Sequence, residues 1–280
     1  MLVVQKGGDK EICPLCGSHS YKKLFDVGNA PIVACTKCGL TKTENFSTPD
    51  YTKYHRDKDY QKFEWLFKNF FLKRVRTIEK FHRGKGRVLE VGCSTGTFLE
   101  LFKDKGWEVW GTEPSKSGEI ARKRGVRVLN AYFEKAEVPT NYFDVVILNH
   151  TLEHLENPAV ILQKAKKVVK NGGIVFVDVP NFGSLSSKVM GKYWGYLAPT
   201  EHLWHFTPDT LKKIFVKAGL KPVYQATTSG IFDCGNPLAG LVDKLVRGRK
   251  SFFSDLLTAP FAYLNTKIGK GTSLTAIGKK

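Results

Sequence analysis

Residues 88–98 read Val-Leu-Glu-Val-Gly-Cys-Ser-Thr-Gly-Thr-Phe, and no other stretch constrains the fold as strongly. Val88, Leu89 and Val91 make an apolar run of strand length. Gly92 and Gly96 bound a turn of small residues, and helix-like sequence follows over 98–105. A strand that turns this sharply into a helix exposes backbone at its exit, where a ligand can approach closely. A second apolar segment, 107–111, leads to Glu113. That carboxylate lies about twenty residues past the loop, where nucleotide-binding α/β folds direct an acid at ribose hydroxyls.

Around this loop strands and helices alternate. Strand patterns fall at 87–91, 108–112, 127–130, 143–149, 173–179, 223–228 and 273–279. Helical patterns fall at 98–105, 115–124, 158–169 and 208–218, the last with Thr207 as its cap. Such alternation predicts a parallel sheet with helices on both faces, and ligands in these sheets bind beyond the carboxyl ends of the strands. The site is then expected among 92–96, Glu113, 131–133, Asn149-His150 and Pro180-Asn181. Upstream, Phe63, Leu66, Phe67, Phe70, Phe71, Val75, Ile78 and Phe81 recur at helical spacing over 61–82. They read as core, with Lys68, Lys73, Arg74, Arg76 and Lys80 on a solvated face.

Four of the six cysteines form Cys13-x2-Cys16 and Cys35-x2-Cys38, separated by eighteen residues and each pair followed by glycine. This is the two-knuckle spacing of a closed, four-thiolate structural zinc site, with a small β-hairpin between the pairs. A module of about forty residues buries little core, so the metal would supply folding energy. Cys93 reads as a small filler within the glycine loop. Cys234 reads as either a nucleophile or an ordinary buried thiol.

Lys and Arg total 44 against 26 Asp and Glu, a formal charge of +18, which favours anionic partners or a solvated basic surface. Lys6, Asp9 and Lys10 interrupt the N-terminal segment, and no apolar run approaches the ~20 residues that span a bilayer. These features point to a cytoplasmic location, with peripheral membrane contact as a variant of it.

The loop is Gly92-x3-Gly96, neither a dinucleotide fingerprint nor a phosphate loop. The ordered set of motifs is more specific. Leu89-Glu90-Val91-Gly92-Cys93-Ser94-Thr95-Gly96 resembles the first motif of class I S-adenosylmethionine-dependent methyltransferases, with Ser94 in place of the common middle glycine. Glu113 falls on their acidic position after the second strand. Phe143-Asp144-Val145-Val146 resembles the start of their fourth strand, and Lys170-Asn171-Gly172-Gly173 the turn before their fifth. The segment 273–280 resembles their last strand. The resemblance covers roughly 60–280 and implies a doubly wound α/β fold with a seven-stranded sheet, behind a zinc ribbon at 1–48. It implies S-adenosylmethionine held by Glu90, Gly92, Cys93, Ser94, Gly96, Glu113, Pro114, Tyr132, Phe133, Asn149 and His150.

More narrowly, Asn149-His150-Thr151-Leu152-Glu153-His154-Leu155 and Glu201-His202-Leu203-Trp204-His205-Phe206-Thr207-Pro208 are similar to a subgroup containing the ubiquinone-biosynthesis O-methyltransferases. Relatives with an N-terminal zinc ribbon often act in sugar or surface-polysaccharide pathways. In the ubiquinone-type relatives this segment carries carboxylates and a histidine near the site, which would suit a divalent ion; here His150 stands at the first position. His-x-x-Glu-His also matches an inverted zinc-protease pattern, but no protease framework surrounds it. An alcohol acceptor needs its proton removed, and histidine suits that near neutral pH. His202 and His205 are the first candidates and His150 the next, with histidine packing as the structural alternative. The Gly-, Ser-, Tyr- and Trp-rich segment 181–206 reads as a cover over the substrate.

No Asn-Pro-Pro-Tyr follows the fourth strand and no Pro-Cys pair ends one, so a small-molecule or glycan hydroxyl is favoured over a nucleic-acid base. An RNA acceptor stays open through the basic charge and the ribbon, and an inactive methyltransferase-like scaffold is a third reading. Before the last strand, an insertion at about 231–270 places Leu238, Leu241, Val242, Leu245 and Val246 beside Lys244, Arg247, Arg249 and Lys250. Phe252, Phe253, Leu256, Leu257, Phe261 and Leu264 follow. A basic amphipathic pattern of this kind rests on an anionic membrane surface, caps the sheet, or pairs two copies.

Overall fold

A computed structural model describes residues 12–53, 63–246 and 251–280 of the 280-residue chain. Tyr54, Tyr60, the helix start at Gln61, and Arg247, Arg249 and Lys250 lie outside the described residues.

The N-terminal module is a hairpin, β1 (Tyr21–Val27) and β2 (Ala30–Cys35), extended by β3 (Thr41–Thr43). Helix α1 (Glu64–Phe81) follows. Then come β4 (Arg87–Val91), α2 (Thr97–Lys103), β5 (Glu108–Thr112), α3 (Ser117–Lys123), β6 (Arg127–Leu129) and β7 (Phe143–Asn149). A 3-10 turn at Leu152–His154 leads into α4 (Pro158–Val168), whose start is fixed by Asn157 accepting from the Val160 N–H and by Pro158 in the first turn. After it come β8 (Val169–Pro180), α5 (Leu185–Met190), β9 (Trp204–His205) and α6 (Pro208–Lys217), the last opened by a Thr207–Thr210 capping box. The chain closes with β10 (Lys221–Thr228), α7 (Pro237–Val246), α8 (Ser251–Lys267) and β11 (Ser273–Lys279).

The main sheet has seven strands in the order β10-β11-β8-β7-β4-β5-β6, the doubly wound arrangement that the resemblance implies. Six strands run parallel, as the alternation predicts. The exception is β11, which enters antiparallel between β8 and β10. The chain leaves β10, passes through α7 and α8 and returns directly beside β10, between it and β8, so the parallel expectation does not extend to that strand. The order reverses between β4 and β7, and a crevice opens at that switch point. The runs 145–148 of β7 and 174–177 of β8 are continuously apolar because alternate residues enter cores on opposite faces of the sheet.

The second sheet, β1-β2-β3-β9, joins the N-terminal module to the rest of the chain. Strand β9 pairs antiparallel with β3, Thr41 opposite His205 and Lys42 opposite Trp204. The Thr43 hydroxyl donates to the His202 carbonyl at 2.7 Å, and Lys217 Nζ donates to the Leu15 carbonyl at 3.0 Å. Cys13, Leu15, Cys35 and Leu40 share one apolar core with Leu203, Trp204 and Phe206.

Helix α1 departs from its sequence reading in two ways. Phe71, Val75 and Ile78 enter the core, but Leu66, Phe67 and Phe70 face a cavity that Phe71 also touches, and Phe81, read as core, is exposed at the helix end. Arg74, read as solvated, is buried: its Nη2 sits 3.0 Å from Asp178 Oδ1 and 3.2 Å from Asp233 Oδ2. Polar-face periodicity could not anticipate this, because the two carboxylates arrive from distant segments.

Candidate active site

The switch point of the main sheet opens into a cavity of about 890 Å³. One end is built from residues at or just past the strand ends: Gly92 and Ser94 after β4, Glu113 and Pro114 after β5, Tyr132 and Phe133 after β6, Asn149 ending β7 and His150 after it. The glycine loop is shaped for a close approach. Gly92 has φ +70°, and a Cβ there would come within 3.3 Å of the Thr151 side chain. Thr151 Oγ1 in turn donates to the Val91 carbonyl at 3.0 Å, tying the ends of β4 and β7 together. Ser94 itself holds φ +46°, a left-handed conformation that favours glycine and accounts for the glycine common at this position.

Glu113 organises the loop. Its Oε2 accepts from the Ser94 N–H and its Oε1 from the Ser115 N–H, each at 2.9 Å. An ionised carboxylate keeps lone pairs for further donors, so ribose hydroxyls entering the cavity could share it. Glu90, Cys93 and Gly96 stand behind the cavity rather than on its wall. Glu90 is buried, with no hydrogen-bond partner for Oε2 among the described residues. Burial first, and Glu113 second, push its pKa well above the ordinary carboxylate value. Cys93 packs onto Gly111 of β5 and acts as the small filler expected. Gly96 caps α2 at φ +77°, and a Cβ there would come within 2.9 Å of Ala121 of α3. These three residues support the loop from below.

The other end of the cavity is lined by Phe67, Phe70 and Arg74 of α1, by Tyr196 and His202 of the segment 181–206, and by His154 and Asp233. Asp178 holds Arg74 from below and also accepts from Ser273 Oγ at 2.9 Å and Thr275 Oγ1 at 2.6 Å. Asp233 accepts from Thr228 Oγ1 at 2.6 Å. Burial opposes ionisation of Asp233, but Arg74, the Thr228 hydroxyl and Lys73 together outweigh it and hold the pKa below the ordinary value. Cys234 also touches the cavity and is buried.

The structure separates the three candidate histidines. His205 lies away from the cavity, its Nε2 3.0 Å from Thr43 Oγ1 in the N-terminal module. Because that hydroxyl donates to His202, His205 donates to it from Nε2. Burial, with His202 nearby, pushes its pKa down to about 3, so it stays neutral. His202 lines the cavity with Nδ1 2.9 Å from the Tyr196 carbonyl; a carbonyl only accepts, so Nδ1 carries the proton and Nε2 keeps its lone pair. Burial lowers its pKa as well. His150 is 39% exposed at φ +50° and opens onto the cavity. Its Nδ1 lies 3.4 Å from Glu153 Oε1 and its Nε2 3.4 Å from Asp178 Oδ1. Burial opposes its charge, but Glu153 and Asp178 outweigh burial and raise its pKa.

Glu153 is the residue whose surroundings the sequence leaves unstated. It is only 1% exposed, and neither carboxylate oxygen has a hydrogen-bond partner among the described residues. Burial opposes its charge, but the neighbouring histidines, His150 foremost, outweigh burial and hold its pKa down at about 2. Glu153, His154 and His202 place ligand atoms within 4.8 Å of one another. His154 Nδ1 sits 2.7 Å from the Glu201 carbonyl, so both rings tie Nδ1–H to a carbonyl and leave Nε2 as a lone pair. A buried carboxylate without a hydrogen-bond donor, clustered with two imidazoles, is a donor set that fits a divalent cation.

The four cysteines of the N-terminal module converge. Cys13 and Cys38 place their sulfurs 3.5 Å apart, as do Cys16 and Cys35. A disulfide needs ~2.05 Å, whereas a tetrahedron with ~2.3 Å metal–sulfur bonds has edges of about 3.8 Å. Both knuckles turn on left-handed glycines, Gly17 at φ +74° and Gly39 at φ +79°. Burial raises the Cys35 pKa, but the N–H groups of Cys38 and Lys37 overcome it and bring the thiol down to about 7.

A family model described as a methyltransferase domain matches residues 60–225. An uncharacterised protein of Methanocaldococcus jannaschii is 31% identical over 142 residues, 50% of this chain and 65% of that protein. The ubiquinone biosynthesis O-methyltransferase of Cereibacter sphaeroides is 27% identical over 157 residues, 49% of this chain and 61% of that protein. The chain therefore matches a little under two thirds of the length of these relatives. Among solved structures, phosphoethanolamine N-methyltransferase 2 of Haemonchus contortus, in complex with S-adenosyl-L-methionine, superposes with a TM-score of 0.61 at 16% identity. That superposition covers 86% of this chain and 62% of the other, and it speaks for the fold alone.

Proposed function

The chain belongs to the methyltransferase-domain family, and we propose that it transfers the methyl group of S-adenosylmethionine to a hydroxyl of a small molecule or glycan. One observation carries this reading: a carboxylate locked to a glycine loop, Glu113 on Ser94, shares a single cavity with a histidine set between two acids. The donor end would be Gly92, Ser94, Glu113, Tyr132, Phe133 and Asn149, with Glu113 accepting from the ribose and the aromatic residues covering the adenine. The name of the Cereibacter relative, an O-methyltransferase, supports oxygen as the acceptor atom.

The donor's sulfonium supplies an activated methyl group: the acceptor oxygen bonds to its carbon, the carbon–sulfur bond breaks, and the electron pair stays on sulfur. The protein aligns the two partners and excludes water. Phe67, Phe70 and Tyr196 would wall the acceptor. His150 would remove its proton. Glu153 Oε1 lacks another donor, whereas Asp178 Oδ1 already accepts from Arg74 and Ser273. The Nδ1–H tautomer is therefore favoured, which leaves Nε2 to take the proton, and the resulting imidazolium lies between two carboxylates. Glu153, His154 and His202 would hold a divalent cation, whose contribution would be to acidify the acceptor hydroxyl. The cysteine cluster would hold structural zinc.

The test is a label-transfer screen with isotopic donor against catechols, nucleotide-sugars, lipid-linked glycans and total RNA, with products identified by mass. Label on a hydroxylated small molecule or glycan supports the reading. Label confined to amines or RNA refutes the acceptor, and absence of label in every class with intact donor binding refutes the enzyme. Once an acceptor is known, His150→Gln should lower turnover by ~10²–10⁴-fold and lower donor affinity far less.

A further inference from the structure

Helices α7 and α8 present their apolar stripes outward. On α7, Leu238, Val242 and Leu245 recur at helical spacing, and all three are exposed. On α8, Phe253, Leu256, Leu257, Phe261, Leu264 and Ile268 form a second exposed stripe that continues past its end. The inner face of α8 is accounted for separately. Ala262 and Asn265 are buried there, and Thr266 Oγ1 accepts from the Ser229 N–H at 3.1 Å. An amphipathic helix of a monomer normally turns its apolar stripe to the core, so stripes facing solvent on neighbouring helices call for a partner.

The charge around these stripes selects that partner. The segment 237–270 carries six basic residues against two acidic ones. Lys267 lies with its Nζ 5.3 Å from the Tyr263 ring centroid, and Lys270 is exposed just beyond the helix. The Lys270 carbonyl accepts from the Leu185 N–H at 3.1 Å, which sets α5 alongside. Lys188 and Lys192 are exposed there, next to exposed Val189 and Tyr193. A second copy docked through the same patch would bring these cationic rims together, since a two-fold interface is self-complementary. An anionic surface has no such conflict. No helix among the described residues is long and apolar enough to cross a membrane, so contact would be with the interface alone.

We propose that the outer faces of α7 and α8 dock on an anionic lipid bilayer. Pro237 of α7, Asp255 of α8 and Tyr196 also line the cavity, so docking would set the cavity mouth at the lipid surface, open to amphiphilic acceptors. The inference does not depend on the methyl-transfer reading, because vesicle binding is measured without donor or acceptor.

The experiment is co-sedimentation of the full chain with vesicles of phosphatidylcholine alone or mixed with phosphatidylglycerol, at low and high salt. The chain should sediment with the anionic vesicles, only weakly with the neutral ones, and less as salt rises. Phe253→Glu combined with Leu257→Glu, at positions 74% and 82% exposed, should weaken partitioning by about tenfold or more. Val216→Glu, on exposed surface of α6, should leave it unchanged. If the double variant melts early, Leu257→Gln alone carries the same direction of change. Absence of binding to anionic vesicles overturns the proposal, as does a folded double variant that binds like the parent. A dimer in light scattering that the double variant dissociates, with no vesicle binding by either form, assigns the surface to a second copy and overturns it as well.

Discussion

Replacing Gly111 by alanine tests whether the glycine loop rests where the structure places it. Gly111 lies in β5 opposite Glu90 of β4, directly under Cys93. An added Cβ would stand 2.3 Å from Cys93 Sγ and 2.7 Å from Cys93 Cβ. Ordinary contacts between such atoms need about 3.5–4.0 Å, so Cys93 must move by roughly 1 Å or more. Cys93 is buried and cannot swing into solvent. The displacement therefore passes to the neighbouring Ser94 N–H, which donates to Glu113. Overpacking of this kind costs about 1–3 kcal/mol. At ~2–4 °C per kcal/mol for a chain of this size, the thermal midpoint should fall by roughly 2–12 °C. Misplacing one charge-assisted hydrogen bond is worth ~1.5–3 kcal/mol, so affinity for S-adenosylhomocysteine should drop about tenfold or more. Scanning calorimetry reads the first effect and titration calorimetry the second. Cys93→Gly in the same background removes both clashing atoms and should recover most of each loss. A Gly111→Ala chain with the parental midpoint and affinity, or a double variant without recovery, would refute the packing described for this loop.

Arg74→Met should cost about 3–5 kcal/mol in thermal or urea unfolding, because Asp178 and Asp233 would stay buried without their counter-charge. The folded-state pKa of Asp233 lies below its ordinary value of 3.8, so its stabilisation is present above that value and is lost as pH falls through the folded pKa. Midpoints measured from pH 6 downward should fall in the parent below about pH 4 and fall less steeply in Arg74→Met, and parallel curves would contradict the pairing. Protein purified under reducing conditions without chelator should release one zinc per chain to a colorimetric indicator after thiol modification. Its removal should change Trp204 fluorescence while the main sheet still unfolds cooperatively. Metal-free cysteines in freshly purified protein would contradict the four-thiolate site.

The parts of this molecule that were legible in the sequence are those where the physics is local. A strand, a glycine turn and a helix are contiguous at 88–103, and the hairpin between the cysteine pairs is bounded by its own knuckles. The parts that were not legible depend on distant partners. Arg74 reads as one cation on a polar face until Asp178 and Asp233 arrive from 104 and 159 residues away. Strand β9 is two residues long, too short for any alternation to reveal, yet it fastens the N-terminal module to the catalytic fold through Thr43 and His205. The same pairing explains why one of two neighbouring histidines faces the cavity and the other does not. The pattern Glu-His-Leu-Trp-His marks both equally, and only the partner strand distinguishes them. Glu113 is marked by its spacing from the loop, whereas the orphaned oxygens of Glu153 depend on His150, His154 and His202, which the fold brings around them.

The central claim is that the glycine loop and Glu113 hold the adenosine of a methyl donor. Titration calorimetry of S-adenosylmethionine and S-adenosylhomocysteine into the full chain tests it most directly, with Glu113→Ala alongside. The account predicts saturable, one-to-one binding of both ligands by the parent and a loss of about tenfold or more in the variant, the scale of one charge-assisted hydrogen bond. Heat of dilution alone at high ligand concentration, or unchanged affinity in Glu113→Ala, would contradict it.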